Sequence, residues 1–192
     1  MTPLDAAVAA LRRGEVVAFP TESSFGLAVD ALSATALARL FALKAREQGK
    51  PPPLLVADRA MVDRLATRVP PHAETLISRF WPGPLTLVLP AREDLPEALV
   101  SVGGVGMRCS PHPTAQALVS AFGGPITATS ANRAGEPPAM DAAHARACLP
   151  ELDYVLDGEP AGGNLPSTVV RIDDDGALTV LRAGAIDPAR LL

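Results

Sequence analysis

The segment GEVVAFPTESSFGL, residues 14 to 27, places a short apolar run directly before a polar loop that begins with proline. The run EVVAF at 15–19 predicts a buried strand, because consecutive β-branched and aromatic residues favour extended structure. Pro20 interrupts the run, so PTESSFG at 20–26 is predicted to form a loop. Thr21 in this loop is a candidate binding residue, and an equally good interpretation is that the loop residues only set the angles of a turn.

Helical patterns lie on both sides of this strand. Thr2 followed by Pro3 is typical of a helix N-terminus, and apolar residues then recur at helical spacing until Gly14. A second helix is predicted from Ser33, its N-cap, to about residue 45, ending near Lys44.

The remaining chain alternates strand and helix patterns, which predicts a single α/β domain over residues 1–192 without repeats or linkers. Some strands adjoin without an intervening helix, so we expect a mixed sheet with parallel and antiparallel pairs. The predicted helices lie at 58–69, 71–80, 113–122 and 141–148. The predicted strands lie at 53–57, 85–89, 105–109, 126–129, 153–156, 168–172 and 178–182.

Composition excludes several classes of protein. The 192 residues include 48% hydrophobic and 4% aromatic residues, with 17 basic and 21 acidic side chains, and a net charge of -4 argues against nonspecific binding to nucleic-acid phosphates. No apolar run approaches the ~20 residues that span a bilayer, and no signal-peptide pattern begins the chain, so we expect a cytoplasmic protein that does not enter membranes. The cysteines, Cys109 and Cys148, and the three histidines fall at no metal-ligand spacing, so no zinc site is expected.

The segment KAREQGK at 44–50 holds the only two lysines, Lys44 and Lys50, among 17 basic residues. Lys44 and Arg46 would lie ~200° apart on a continuous helix, so both can meet one ligand only if the helix stops there. Gly49 and the prolines at 51–53 are suited to stop it. The segment is therefore interpreted either as a cationic loop for a polyphosphate or as a helix C-terminus carrying solvated positive charge. Because Lys44 is placed at a helix end, truncating its side chain is expected to leave no cavity in the core.

Two further segments carry candidate binding groups. ITATSANRAGEPP at 126–138 places Thr129, Ser130 and Asn132 after an apolar strand, where hydroxyls and an amide suit phosphate, ribose or base, or simply close a turn. Arg108 in VGMRC is either a surface residue of an edge strand or a planar fork for a carboxylate. The chain contains no catalytic triad order, P-loop or dinucleotide fingerprint.

Together and in order, these segments resemble the YrdC-like family, the threonylcarbamoyl-AMP synthases. The motifs that carry the resemblance span nearly the whole chain: GEVVAFPTESSFGL (14–27), KAR (44–46), FWPGPLTLVL (80–89), VGMRCSPHP (105–113), TSAN (129–132), PSTVVRI (166–172) and LRAGA (181–185). The combination of K-x-R, the W-P-G-P-L-T block and S-x-N is specific, although each triplet alone is weak.

The resemblance implies a twisted mixed parallel and antiparallel sheet, flanked by helices, around a deep, positively lined cavity. It also implies a reaction in which L-threonine, bicarbonate and ATP, with Mg²⁺, give threonylcarbamoyl-AMP and pyrophosphate for later tRNA-modifying proteins. By similarity, nucleotide binding is assigned to Lys44, Arg46, Thr129, Ser130, Asn132 and Arg182, with Lys44 and Arg46 also catalytic. Threonine binding is assigned to Thr21, Arg108 and Ser167, and the short form of the family, without an extra C-terminal domain, is expected.

Three positions depart from the family pattern, and each bears on the threonine pocket or its loop. Phe25 stands where tyrosine is common, Ala57 where histidine is frequent, and Pro138 where serine is frequent. Two alternatives stay open: a double-stranded RNA-binding module, and a carbamoyl-transfer domain related to hydrogenase maturation. The first would need a broad basic surface and the second accessory domains on the same chain.

Overall fold

The computed structural model describes residues 1–45, 51–101, 103–160, 162–163 and 165–191. The α-helices in these residues are α1 (Pro3–Arg12), α2 (Ala34–Lys44), α3 (Arg59–Val62), α4 (Pro71–Phe80), α5 (Pro113–Phe122) and α6 (Ala142–Cys148). The strands are β1 (Val17–Pro20), β2 (Phe25–Ala28), β3 (Leu54–Leu55), β4 (Leu85–Leu89), β5 (Val100–Ser101), β6 (Gly104–Arg108), β7 (Ile126–Thr127), β8 (Thr129–Ser130), β9 (Tyr154–Val155), β10 (Thr168–Ile172) and β11 (Leu178–Arg182).

The first sheet is built on a hairpin that the sequence did not predict. β1 pairs antiparallel with β2, so that Phe19 lies opposite Gly26, and the full order is β8-β2-β1-β9. The predicted loop at 20–26 is therefore too long: the connection is Thr21–Ser24, closed by a 3.0 Å hydrogen bond from the Thr21 amide to the Ser24 carbonyl. The apolar run that follows is fully buried, which favours pairing with β1 over a solvated loop.

The second sheet has the order β11-β10-β4-β6-β3-β7, and β5 also pairs with β6. β4 is parallel to β10 and antiparallel to β6, while β10 and β11 are antiparallel. The predicted mixed sheet is thus confirmed.

The chain crosses from one sheet to the other within the segment predicted as a single strand at 126–129. β7 pairs with β3 in the second sheet, whereas β8 pairs with β2 in the first. The Thr127 hydroxyl donates to the Leu27 carbonyl and accepts from the Val29 amide, both at 3.0 Å, which fixes the crossing point. The prediction of one strand here is wrong because tertiary pairing divides it.

The sequence predicted the N-termini of two helices correctly from their capping residues. Thr2 and Asp5 form a reciprocal capping box on α1, and the Ser33 side chain accepts from the Ala36 amide at 3.2 Å at the start of α2. The helix predicted at 58–69 is wrong in extent, since it ends at Val62. Beyond it, Ala66 bridges to Ala91 and the Leu65 carbonyl accepts from the Arg92 amide, so these residues pair with another segment instead of continuing the helix.

Buried apolar side chains from both sheets and the helices form one cluster beneath the strands. Phe19 and Leu27 of the first sheet belong to the same cluster as Leu87 and Met107 of the second. This shared core connects the two sheets, and Arg108 at the end of β6 and Ser130 at the end of β8 are among the polar residues discussed next.

Candidate active site

A cavity of about 530 Å³ receives residues from both sheets. Within the described part of the chain, its charged lining residues are Arg108 and Arg182, and no carboxylate lines it. Hydroxyl groups supply most of the other polar lining. Among the described residues, the lining consists of Thr21, Ser23, Ser24, Phe25, Gly26, Pro53, Arg108, Ala128, Thr129, Ser130, Pro138, Met140, Gly163, Leu165, Pro166, Ser167 and Arg182.

Arg108 lies at the end of β6 and is 8% exposed. Burial, followed by repulsion from Arg182, lowers the pKa of Arg108 to about 10. The Arg108 guanidinium also contacts the carboxylate of Glu22 directly. With this pKa the side chain is cationic at neutral pH. Because β6 lies between β4 and β3 in the sheet and Arg108 is buried, the interpretation of Arg108 as a surface residue of an edge strand is wrong.

Ser167, Arg182 and Thr86 form a second polar group of the site. The Arg182 guanidinium donates to the Ser167 carbonyl at 2.9 Å and to its hydroxyl at 3.1 Å. The Ser167 hydroxyl also hydrogen-bonds the Thr86 hydroxyl at 2.8 Å. Burial lowers the pKa of Arg182, and these contacts hold both the serine and the arginine in one orientation.

Gly184 allows this group to form. A methyl group at residue 184 would lie 2.3 Å from the Pro166 carbonyl oxygen and 2.6 Å from the Ser167 carbonyl carbon. Only glycine permits so close an approach of the two backbones. The Ala185 amide then donates to the Pro166 carbonyl at 2.9 Å, which fixes the segment that contains Ser167.

Lys44, the last residue of α2, is 3% exposed. Its ammonium donates to the Ser130 carbonyl, to the Asn132 carbonyl at 2.7 Å and to the Asn132 side-chain oxygen at 3.2 Å. Ala45 follows in a left-handed conformation with φ of 48°, so α2 ends where the sequence predicted. The interpretation of Lys44 as a solvated charge is wrong, because its ammonium is buried against the Ser130–Asn132 turn, whose first residue lines the cavity.

The remaining predicted site residues are placed as follows. Thr129 and Ser130 line the cavity, and the Ser130 hydroxyl bonds the Asn132 side chain at 2.5 Å. Thr21 also lines the cavity. Its hydroxyl donates to the Ser24 carbonyl at 2.7 Å, so Thr21 stabilises the turn as well as lining the cavity. Arg46 lies outside the described residues.

Three residues of the polar framework were absent from the predicted site. Glu22 contacts Arg108, Ser110 donates to Glu22, and Thr86 bonds Ser167. Glu22 stands in the loop that the sequence singled out, but the pairing of a carboxylate with an arginine far along the chain leaves no local pattern. Of the three departures from the family pattern, Phe25 and Pro138 line the cavity and Ala57 does not.

No helix in the described ranges is long and apolar enough to cross a membrane. Among the same residues, no group of three or more histidine, cysteine, aspartate or glutamate side chains is arranged to hold a metal ion.

The mixed α/β fold holds a cavity lined by hydroxyls and two arginines, which is the chemistry of a site suited to small anionic molecules. The chain belongs to the Sua5/YciO/YrdC family, whose model, described as "Telomere recombination", matches residues 9–184.

Two curated relatives and one solved structure illustrate the similarity. The threonylcarbamoyl-AMP synthase of Bacillus subtilis (strain 168) is 39% identical over 183 residues, which cover 94% of this chain and 53% of the relative. That of Chromohalobacter salexigens is 42% identical over 167 residues, which cover 85% of this chain and 89% of the relative. Pyrococcus abyssi Sua5 complexed with L-threonine matches with a TM-score of 0.89 and 33% identity, over 98% of this chain and 56% of that one. The chain thus spans about half the length of the first relative and most of the second.

Proposed function

We propose that the protein is a threonylcarbamoyl-AMP synthase, which converts L-threonine, bicarbonate and ATP into threonylcarbamoyl-AMP and pyrophosphate. One observation carries the proposal: a single 530 Å³ cavity is lined by the three residues assigned to threonine and by three of those assigned to the nucleotide, Thr129, Ser130 and Arg182. A cavity of this size lies within the range of about 300–1,000 Å³ typical of small-molecule sites. The names of the curated relatives agree with this assignment.

The threonine half of the site consists of Thr21, Arg108 and Ser167. Arg108 offers a guanidinium to the amino-acid carboxylate, a pairing with the geometry of two parallel hydrogen bonds. Ser167 is fixed by Arg182 and Thr86, so its hydroxyl meets the substrate without a large loss of conformational entropy. The Pyrococcus abyssi relative, whose structure contains L-threonine, supports this choice of amino acid.

The nucleotide half consists of Lys44, Arg46, Thr129, Ser130, Asn132 and Arg182. Hydroxyl and amide groups at 129–132 suit phosphate and ribose oxygens. Lys44 brings positive charge next to Ser130, and Arg182 brings it to the cavity lining. Lys44 and Arg46 are proposed to offset the charge that develops on the transferring phosphorus and on the leaving pyrophosphate. Lys44 also orders the Ser130–Asn132 turn through its hydrogen bonds.

The reaction requires no covalent nucleophile from the protein. The threonine amine forms a C–N bond with bicarbonate and releases water, and a carbamate oxygen then attacks the α-phosphorus of ATP as the bond to pyrophosphate breaks. Both steps depend on positioning and on positive charge, which the two halves of the cavity supply. Burial protects the unstable carbamate from water.

The described lining offers no carboxylate for Mg²⁺, so the residues present do not form a protein site for this ion. We therefore expect any Mg²⁺ to accompany the phosphates of ATP. In this proposal the enzyme acts in the cytoplasm, where ATP is available, and later tRNA-modifying proteins take up the product.

Pyrophosphate release by the purified chain tests the proposal. We expect release from ATP only when threonine and bicarbonate are both present, and mass spectrometry should detect threonylcarbamoyl-AMP. We further propose that residues 1–192 act as one domain, which the apolar core shared by both sheets supports. The assay therefore uses this chain without a partner protein. Equal release without threonine would exclude the synthase function.

A further inference from the structure

Glu22 is tied to Arg108 by a chain of buried polar contacts that begins at α5. The side chains of Arg108 and Glu22 are 9% and 14% exposed, and the guanidinium contacts one carboxylate oxygen, Oε1. The other oxygen, Oε2, accepts a hydrogen bond from the Ser110 hydroxyl at 2.8 Å. The Ser110 oxygen in turn accepts from the backbone amide of His112 at 3.2 Å.

The hydrogen bonds from His112 to Ser110 and from Ser110 to Glu22 both donate in the same direction. An ionised carboxylate only accepts hydrogen bonds, so the single hydrogen of the Ser110 hydroxyl must point to Glu22. The Ser110 lone pair then takes the amide of His112, the N-cap residue of α5, whose backbone is held by the helix. Both oxygens of Glu22 therefore have fixed partners, and the carboxylate has little freedom to rotate.

Resting on the proposed function, we propose that Glu22 is a positioning residue for amino-acid recognition, which orients Arg108 toward the carboxylate of the substrate. Glu22 does not line the cavity, whereas Arg108 does, so Glu22 acts through the arginine. A guanidinium carries five N–H donors in a rigid fork, and anchoring one edge fixes the direction of the others.

The backbone of Glu22 makes a separate contact with a residue of the cavity lining. Its carbonyl accepts from the Gly163 amide at 2.8 Å, and a methyl group at residue 163 would lie 2.7 Å from that oxygen. Gly163 itself lines the cavity. A side-chain substitution at residue 22 leaves this backbone contact available, so it tests only the side-chain contacts with Arg108 and Ser110.

The experiment compares L-threonine with L-threoninol, in which a hydroxymethyl group replaces the carboxylate. Calorimetry measures the binding of both compounds to the wild type, Glu22→Gln, Glu22→Asp and the surface control Glu151→Gln. We expect Glu22→Gln to weaken L-threonine binding by about 10- to 100-fold, the usual value of a hydrogen bond to a charged group, and to leave L-threoninol binding unchanged. Glu22→Asp should recover part of the affinity, and the control should match the wild type.

Equal weakening of both compounds would assign Glu22 to general stability and overturn the proposal. Tighter binding of L-threonine by Glu22→Gln would also overturn it, since Glu22 would then compete with the substrate for Arg108. Should Glu22→Gln not fold, Ser110→Ala keeps the carboxylate charge and removes only its anchor, and it should weaken L-threonine alone by a smaller factor. Unchanged L-threonine binding in a folded variant refutes the proposal.

Steady-state kinetics tests the role of Glu22 separately from the proposed synthase function. In the pyrophosphate assay, Glu22→Gln should raise the KM for threonine and leave the KM for ATP unchanged. A wild type that binds L-threonine but releases no pyrophosphate would refute the synthase function and leave the binding comparison valid.

Discussion

The ammonium of Lys44 donates a hydrogen bond to the backbone carbonyl oxygen of Asn132, 2.7 Å away and 88 residues further along the chain. This contact joins the end of α2 to the Ser130–Asn132 turn, whose first residue lines the cavity. The same lysine therefore contributes to the fold and to the proposed nucleotide site.

Lys44→Met should lower both stability and activity. The substitution keeps an unbranched side chain but removes the charged donor to the Ser130 carbonyl and to the buried Asn132 carbonyl, which costs about 1–3 kcal/mol of unfolding free energy. Pyrophosphate release should fall by about 10²- to 10³-fold, the usual loss on removing one electrostatic donor from a transition state. Thermal melting and kcat are measured on the same variant. Arg12→Met, which changes an exposed basic residue in the last turn of α1, is the matched control and should alter neither.

Arg108→Gln should weaken threonine binding while ATP binding changes little. A guanidinium–carboxylate contact is local to the amino acid, and losing it is expected to cost about 10- to 100-fold in affinity. Calorimetry with each ligand separately measures the two effects. Arg92→Gln removes an exposed arginine that pairs with Asp94 and serves as the control. An equal loss of both ligands would contradict the assignment of Arg108 to the amino acid.

Gly184→Ala should inactivate the protein by displacing Ser167. The added methyl would meet backbone atoms of residues 166 and 167 at 2.3–2.6 Å, and neither can move without disturbing the contact of Ser167 with Arg182. Gly106→Ala is the matched control, because its methyl would lie no closer than 3.6 Å to the nearest side chain. Threonine affinity and melting temperature of both variants provide the comparison. Normal threonine binding by Gly184→Ala would show that the position of Ser167 is unimportant.

Threonine should be preferred to serine by about 10- to 200-fold, since a single methyl group in an apolar niche contributes about 1–3 kcal/mol. The cavity offers apolar surface from Phe25, Met140 and Leu165 for that methyl. Competition between the two amino acids in the pyrophosphate assay measures the ratio. Equal use of both would mean that the methyl group is exposed to solvent in the complex.

Short-range signals in the sequence determined most of the secondary structure. The Thr2–Pro3 start of α1, the Ser33 cap of α2 and its end at Lys44, and the strands at 168–172 and 178–182 agree with the structure. Each depends on contacts within a few residues or on a clear periodicity, so a local pattern records it. The order of the motifs was also enough to indicate the family, which the family model confirms.

Only the tertiary structure decided how distant segments meet. The pairing of β2 with β1, the division of 126–130 between two sheets, the burial of Lys44 against Asn132, and the contact of Glu22 with Arg108 all join residues that local patterns treat as independent. A polar or charged side chain has the same sequence signature whether it is solvated or buried with partners. Which of the two occurs depends on whether the folded chain supplies hydrogen-bonding groups that offset the cost of removing it from water.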